Sequence, residues 1–540
     1  MAQKLQFLLE DIKNKEIVLP EFQREYTWSR KQAKNLLDSL LKGYPTGSLL
    51  IWRTKNPPAL KNLPEFESNG RASVLLDGQQ RLTALYLFMR NKIPPYYKTI
   101  STSKDPRNLY YNLRTRELKY YMKIEMENNP EWIRVVDCFE NKVNLEEIIE
   151  QFDLEGGNEK KFRLFTKLNS NLNALQDLVN YEYSVMRVKE NSGLKDALTV
   201  FDRVNTGGTP LSEADVALAY MCSNWEEMRR EFKKEIAILK VQGFEFDLRF
   251  MIRSLNAVIN GRAYYNLMHD VSEDQLKEGW EKLKKILAYV MNFLKDRAYI
   301  YSTEDLNTPN VLIPLIGYLS NNDLKFKKEK NLKRMLYWFY AALYKRRYSA
   351  SVDQYLEKDL QVLGSEHPIE NLIGILQEEE GGLGISYADL QGRWIGHPLY
   401  NMMCFVIRKN GGVDWANNLD LSNPIGRSYQ VQRHHIFPKA VLRGAGYDTT
   451  DNKEYYNMVH EIANRVPLTL RGNMEIFDKE PSDYLPEVEK NNPGNLHKFF
   501  IPMNGESWKV EKFEDFLEKR RKLIVKAINN FMEELIGRKT

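Results

Sequence analysis

The stretch "SVLLDGQQRLTALYLFM", residues 73–89, constrains the fold more than any other part of the chain. It begins as an apolar run, breaks at Asp77-Gly78, and resumes with apolar residues at helical spacing from Leu82. That order predicts a strand over 73–76, a glycine turn, and a helix over 81–90. Upstream, "RKQAKNLLDSLLKGYPTG" sets Leu36, Leu37, Leu40 and Leu41 on one helical stripe that ends at Gly43 and Pro45. "SLLIWR" then reads as a short strand, so the first ninety residues alternate α and β.

The residues crowding the junction carry chemistry. A strand feeding a helix through a glycine turn points the first helical N–H groups outward, where unpaired donors and the helix dipole favour an anion. Arg81 adds a fork of donors suited to phosphate. A plainer reading has Asp77 capping the helix, Gly78 making the turn, and Gln79 and Gln80 exposed. The chain contains no GxxxxGK[ST] segment, so nucleotide chemistry here would not be of the P-loop type.

A length of 540 residues corresponds to about three or four domains. The formal net charge of +5 requires any nucleic-acid partner to be met by a local basic patch. Three cysteines, Cys138, Cys222 and Cys404, are too few and too scattered for a disulfide framework, and no CxxC spacing offers a zinc cage. The N-terminus turns polar too soon for a secretory segment, and no stretch approaches the roughly eighteen apolar residues of a membrane span. A cytoplasmic protein with no membrane partner is expected.

"FDRVNTGGTPLSEADVALAYM", residues 201–221, predicts a helix ending in Asn205-Thr206-Gly207-Gly208 and a new helix capped by Ser212. Residues 223–395 show helical periodicity with few strand signals, a helical middle. Residues 396–540 change character again. A strand is expected in "NPIGRSYQVQRHHIFPKAVL", and a second strand and turn in "ANRVPLTLRGN". A long amphipathic helix follows in "EKFEDFLEKRRKLIVKAINNFMEELI", with Phe513, Phe516, Leu517 and Leu523 in its buried stripe. Lys519, Arg520 and Arg521 read as its solvated face.

The chain has seven histidines, and His434-His435 closes the first of these strands. Phosphodiester hydrolysis needs a base to activate water, a cation to neutralise charge on the phosphate, and a group to hold the base. Histidine, with a pKa of about 6.5, serves as the base, and an imidazole with an amide oxygen serves the cation. A Mg²⁺ ion keeps several waters and needs only one or two protein ligands.

"QRHHIFPKAVL" and "IANRVPLTLRGNMEIFDKEPSDYL" together resemble the HNH, or ββα-metal, nuclease motif in the form found at the C-terminus of GmrSD-type restriction enzymes. The resemblance implies His435 as general base, His434 and Asn473 as metal ligands, and Asn464 as the positioning residue. The family often has Asp where His434 stands. "VLPEFQREYTWSRKQAKNLLDSLLKGYPTGSLLIWR", "VLLDGQQRLTALYLF" and "FDRVNTGGTPLSEADVAL" occur in the order seen in the GmrS-like N-terminal domain, which resembles the ParB and sulfiredoxin fold. This second resemblance covers roughly residues 1–222. It implies a nucleotide-hydrolysing or modification-sensing module with Asp77 and Arg81 at its chemical centre and Gly78, Gln79 and Gln80 beside them. Gln23, Arg24 and Tyr26 become pocket neighbours, able to stack on and read a base, and Trp28 a core residue. Asn205, Gly207 and Gly208 either close the same pocket or form a structural turn.

The expected architecture is therefore α+β and multidomain: a ParB/sulfiredoxin-like NTPase or sensor domain over 1–222, a helical middle over 223–395, and an HNH nuclease domain over 396–540. This order resembles the fused GmrSD and SspE-like defence proteins. It implies a modification-dependent, type IV-like restriction endonuclease in anti-phage defence. Its cofactors would be a divalent metal, Mg²⁺ or Mn²⁺, and an NTP, GTP or ATP; its partner would be modified phage DNA, with a homo-oligomer compatible. The rival reading is a DNA-binding or NTPase signalling regulator whose nuclease domain is degenerate or directed at RNA.

Overall fold

In the computed structural model, β1 (Ala2–Lys4) runs straight into α1 (Leu5–Lys13), which buries Leu5, Leu8, Leu9 and Ile12 at the spacing of one helix face. The structure describes residues 2–58, 60–63, 72–152, 157–204, 213–421, 430–476 and 478–537. They fall into two units, 1–229 and 230–540. The expected turn at Asn205, Gly207 and Gly208 and the Ser212 cap lie outside the described residues.

In the first unit β2 (Ile17–Val18) is followed by α2 (Arg30–Leu41), which opens with a capping box between Ser29 and Gln32 and buries Ala33, Leu36, Leu37 and Leu40. The chain continues through β3 (Leu49–Thr54), β4 (Ala72–Asp77) and α3 (Gln79–Arg90). β5 (Leu109–Asn112), β6 (Leu118–Tyr120) and β7 (Trp132–Arg134) form a small antiparallel sheet in the order β6-β5-β7. β8 (Glu182–Val188) then completes a five-stranded mixed sheet, order β1-β8-β3-β4-β2. In it β2 and β4 are parallel, as are β3 and β8, while β3 runs antiparallel to β4 and β1 to β8.

α3 starts two residues before the sequence expectation. Gly78 makes the whole turn in the left-handed region, φ +96°, so Gln79 is already helical. Asp77 stays in the strand and caps nothing, which corrects the plainer reading of that residue. Gln79 through Met89, Arg81 apart, is buried around the full circumference, as befits a helix packed on several sides.

The second unit is mostly helical, with one antiparallel hairpin of β9 (Val431–His435) and β10 (Arg465–Thr469). His435 pairs with Arg465 and His434 with Val466. The Leu470–Ile476 helix follows β10 directly. Helices from the middle of the sequence share a core with the C-terminal ones: the Tyr340 ring lies 5.2 Å from Phe531 and 5.8 Å from Phe405. The Asn529 amide both accepts from the Ile385 N–H and donates to its carbonyl.

The solvated face expected on the Phe513–Ile536 helix is corrected. Arg520 is fully buried and Arg521 nearly so, whereas Leu523, placed in the buried stripe, is exposed. Arg520 donates to the carbonyls of Ile462, Ala463, Arg465 and Phe499, and Arg521 forks onto the buried Glu461 carboxylate. These partners lie tens of residues away in sequence, so the charge run gave no sign of them. Lys519, half-exposed, pairs with Asp515 one turn back.

Candidate functional site

Two sites emerge, one in each unit. The first is a cavity of about 560 Å³ between the start of α3, the turn before β3 and one face of α2. Gln23, Arg24, Asp77, Gly78, Gln79, Gln80 and Arg81 all line it, so a single wall gathers these residues from two loops. α2 contributes Gln32, Asn35 and Ser39, which make the opposite side polar.

The DGQQR side chains are largely committed to building that wall. The Gln80 Oε1 atom accepts from the backbone N–H groups of Thr27, at 2.8 Å, and Trp28, at 3.2 Å, while its Nε2 donates to the Glu25 carbonyl. Gln79 donates to the Arg24 carbonyl at 2.6 Å and to the Tyr97 hydroxyl. Gln23 donates to the Leu76 carbonyl at 2.6 Å. The two glutamines of the turn are thus buried, not exposed, and they clamp the "QREYTW" loop to the strand end. Arg81 donates to the carbonyls of Thr46 and Ser48 and to the Asp77 carboxylate at 3.0 Å. A Cβ on Gly47, itself at φ +85°, would stand 2.5 Å from the Arg81 guanidinium, so only glycine lets that loop close.

Tyr26 and Trp28 exchange their expected places. Tyr26 is buried in the hydrophobic core, and burial pushes its hydroxyl pKa upward. Trp28 is half-buried and lines the cavity. The physical cause is the clamp by Gln80, which fixes the backbone at 27 and 28 and decides which ring turns inward.

The second site is the β9–β10 hairpin with its following helix. Successive strand residues face opposite sides of a sheet, so His434 and His435 part company. His434 is buried against the Leu470–Ile476 helix, with its Nδ1 2.5 Å from the Asn473 Oδ1. Its Nε2 is buried with no hydrogen-bond partner among the described residues. Burial holds the His434 pKa down to about 4. Asp414, a charge that opposes this shift, is occupied: it accepts the N–H groups of Thr469, Ala416 and Asn417.

His435 shares the other face with Arg433 and Arg465. Burial first, and then the positive charges of Arg465 and Lys439, hold its pKa down to about 2, so its imidazole is neutral at neutral pH. Its ring packs edge-on against His460, centroids 5.4 Å apart. The His460 Nδ1 is 3.1 Å from Arg465 Nη2; because arginine only donates, His460 accepts there and carries its proton on Nε2.

Asn464 touches neither histidine ring through its side chain among the contacts described. It accepts from the Phe437 N–H at 2.8 Å and donates to the carbonyls of Phe437 and Val459. The backbone carbonyl of Asn464 also takes the Ile436 N–H, so Asn464 ties the chain leaving β9 to the chain entering β10. It thereby fixes the strand end next to His435.

The sequence gives no role to His460, Arg465 or Glu461 and sets Arg520 in solvent. All four lie within or against the Glu461–Arg465 turn. His460 stood four residues before Asn464, which was a signal; the others needed the tertiary contacts.

Comparison with known proteins bears on the first unit. Residues 5–222 match the family described as GmrSD restriction endonuclease, N-terminal domain. The match spans the α3 cavity and its DGQQR wall. Over 545 aligned residues the chain is also 23% identical to an uncharacterized protein of Methanocaldococcus jannaschii, covering 88% of this chain and 84% of that one. Among the described residues no helix is long and apolar enough to cross a membrane, and no group of three or more His, Cys, Asp or Glu side chains is gathered to hold a metal.

Proposed function

We propose that this chain is a restriction-type endonuclease that hydrolyses DNA at the hairpin of its second unit, under control of a nucleotide or a modified base bound in the first. The observation that carries the reading is the contact of the His434 imidazole with the Asn473 amide, with His435 at the adjacent strand position. The GmrSD match of residues 5–222 supports a restriction role for the whole.

The His434 imidazole and the Asn473 amide oxygen are the groups that would hold a divalent cation; here the amide oxygen accepts from Nδ1, which therefore carries the proton and leaves Nε2 as the unprotonated, unpartnered nitrogen among the described residues. Such a sparse pair fits Mg²⁺ or Mn²⁺ retaining most of its waters, and fits poorly a closed zinc cage. When bound, the ion supplies charge neutralisation at the phosphate and the leaving oxygen. His435 takes a proton from water as the water oxygen forms its bond to phosphorus; the bond to the leaving oxygen breaks, and that oxygen gains a proton from solvent. Asn464 keeps the strand end, and so the His435 ring, in place.

In the first unit a polar cavity of about 560 Å³ accommodates a nucleotide or an extruded base. Because Arg81, Gln79 and Gln80 are held by backbone carbonyls and amides, Arg24, Asp77 and the first-turn amides of α3 are the groups left to meet a ligand, with Trp28 as the stacking surface. GTP or ATP hydrolysis there, and gating of cleavage by it, belong to this proposal. So does recognition of modified phage DNA.

Plasmid cleavage with Mg²⁺ or Mn²⁺, then with chelator added, tests the nuclease reading, with phage DNAs differing only in modification and each NTP in turn as further arms. Metal-dependent cleavage lost in His435→Ala is the expected result. Equal cleavage by that variant, or none by the parent on any DNA, would sink it.

A further inference from the structure

The His435 face of the hairpin borders a cavity of about 960 Å³, lined in part by Arg433, Arg465, Arg408 and Tyr400. The arginines differ in how their charge is met. Arg408 donates to the Asp305 carboxylate at 2.9 Å and to the Tyr299 carbonyl. Arg465 has no carboxylate among the described residues. It is 92% buried, with 8% of its surface left exposed, and among the described residues its guanidinium meets the Arg433 carbonyl, at 2.8 Å, and the His460 imidazole. Its Nε is buried with no partner among the described residues, and so is the Tyr400 hydroxyl, which also faces this space.

Burying an unpaired guanidinium is costly, and the other buried arginines of this unit are met by carboxylates or by several carbonyls, although the Arg520 Nε is also without a partner among the described residues. Arg347 pairs with Asp359 and Glu379, Arg521 with Glu461, and Arg520 is capped by four carbonyls. Beside Arg465, Arg433 lies over the Tyr400 ring at 5.8 Å and adds a second positive charge, again with no carboxylate among the described residues. Two guanidiniums on one face, one of them buried and both short of a counter-charge, lack an anion.

We propose that Arg433 and Arg465 form a phosphate-binding subsite that seats a nucleic-acid backbone phosphate beside the one attacked at His435. That the phosphate belongs to a nucleic acid rests on the nuclease reading; that the subsite takes a phosphate rests on the two arginines themselves. A free phosphate or a nucleotide is the other source of the same chemistry.

The test is fluorescence anisotropy of the full chain with labelled DNA duplexes of two unrelated sequences, in chelator so that no cleavage intervenes, across a salt series. Arg433→Gln, on an exposed side chain, is the primary variant, and Arg465→Gln accompanies it with a melting curve. Each arginine variant is expected to weaken both duplexes equally, about fivefold near 0.15 M salt, and to lower the log–log salt slope by about one, since each lost phosphate contact retains its counterions. Parent protein that binds DNA and never cuts it removes the nuclease reading and leaves this subsite standing. Arg433→Gln binding DNA with parental affinity and slope would overturn the subsite, as would parent protein that does not bind DNA. If inorganic phosphate or a nucleotide raises the melting temperature of the parent and not of Arg433→Gln, while DNA binding is unchanged, the nucleic-acid assignment falls.

Discussion

Arg521, on the C-terminal helix, forks onto Glu461, with Nη2 2.9 Å from Oε2, and both side chains are at least 92% buried. Glu461 opens the turn that carries Asn464 and Arg465, so this pair braces the hairpin from behind. Removing one partner leaves the other charged and buried, which costs about 3–5 kcal/mol. Glu461→Ala is therefore expected to lower the denaturation midpoint sharply, and Glu461→Leu with Arg521→Met to recover much of the loss. Equilibrium unfolding in urea distinguishes them.

Asn464→Ala and His435→Ala are expected to fail differently. Asn464 satisfies the Phe437 N–H and two carbonyls inside the protein, and each buried group left unpaired costs about 1–3 kcal/mol. Its loss should lower both the melting temperature and cleavage. His435→Ala should leave melting unchanged while cleavage falls by about two to four orders of magnitude.

His434 and His435 are held down to about 4 and about 2 by burial, below the usual value of about 6.5. Between those values the unfolded chain binds protons that the folded chain does not, so stability rises with pH there and is lost as pH falls below about 6.5. Each such imidazole contributes up to about 1.4 kcal/mol per pH unit. Urea unfolding of the metal-free chain from pH 7 to pH 5 is expected to weaken steadily, and the His434→Ala series to show a shallower slope.

Gly78→Ala puts a Cβ 2.2 Å from Leu49 Cδ2 at a φ of +96°, so the DGQQR turn cannot form unstrained. A loss above about 1 kcal/mol is expected from the left-handed backbone alone. Gln80→Ala keeps the turn and frees the loop it clamps, so the Thr27 and Trp28 amides should exchange hydrogen faster while those within α3 do not.

Arg24→Gln removes a cationic side chain from the cavity wall and leaves the Arg24 carbonyl that Gln79 needs. Nucleotide binding, read by calorimetry with GTP and ATP, is expected to drop with the melting temperature unchanged. Unaltered binding would move the ligand away from this wall.

Periodicity and turn chemistry made much of the local structure legible. The strand, glycine turn and helix at 73–90, the α2 stripe, and the strands at 431–435 and 465–469 all follow from patterns a few residues long. The residues of the two candidate sites came from the resemblance and not from periodicity; the structure brings Gln23 and Arg24 to one wall with Asp77 to Arg81, and His434 to Asn473.

What the chain alone determined is where strands, turns and helices begin, because those depend on neighbours three or four residues away. Tertiary structure decided which polar groups are spent inside. Gln79 and Gln80 were free to be ligands until the Arg24–Trp28 loop folded over them; Tyr26 and Trp28 could each have turned inward; Arg520 and Arg521 read as solvated until the Glu461–Arg465 turn supplied three carbonyls and a carboxylate across more than fifty residues. A buried polar atom must find a partner, and that partner is chosen by the packing of distant segments, which no local pattern encodes.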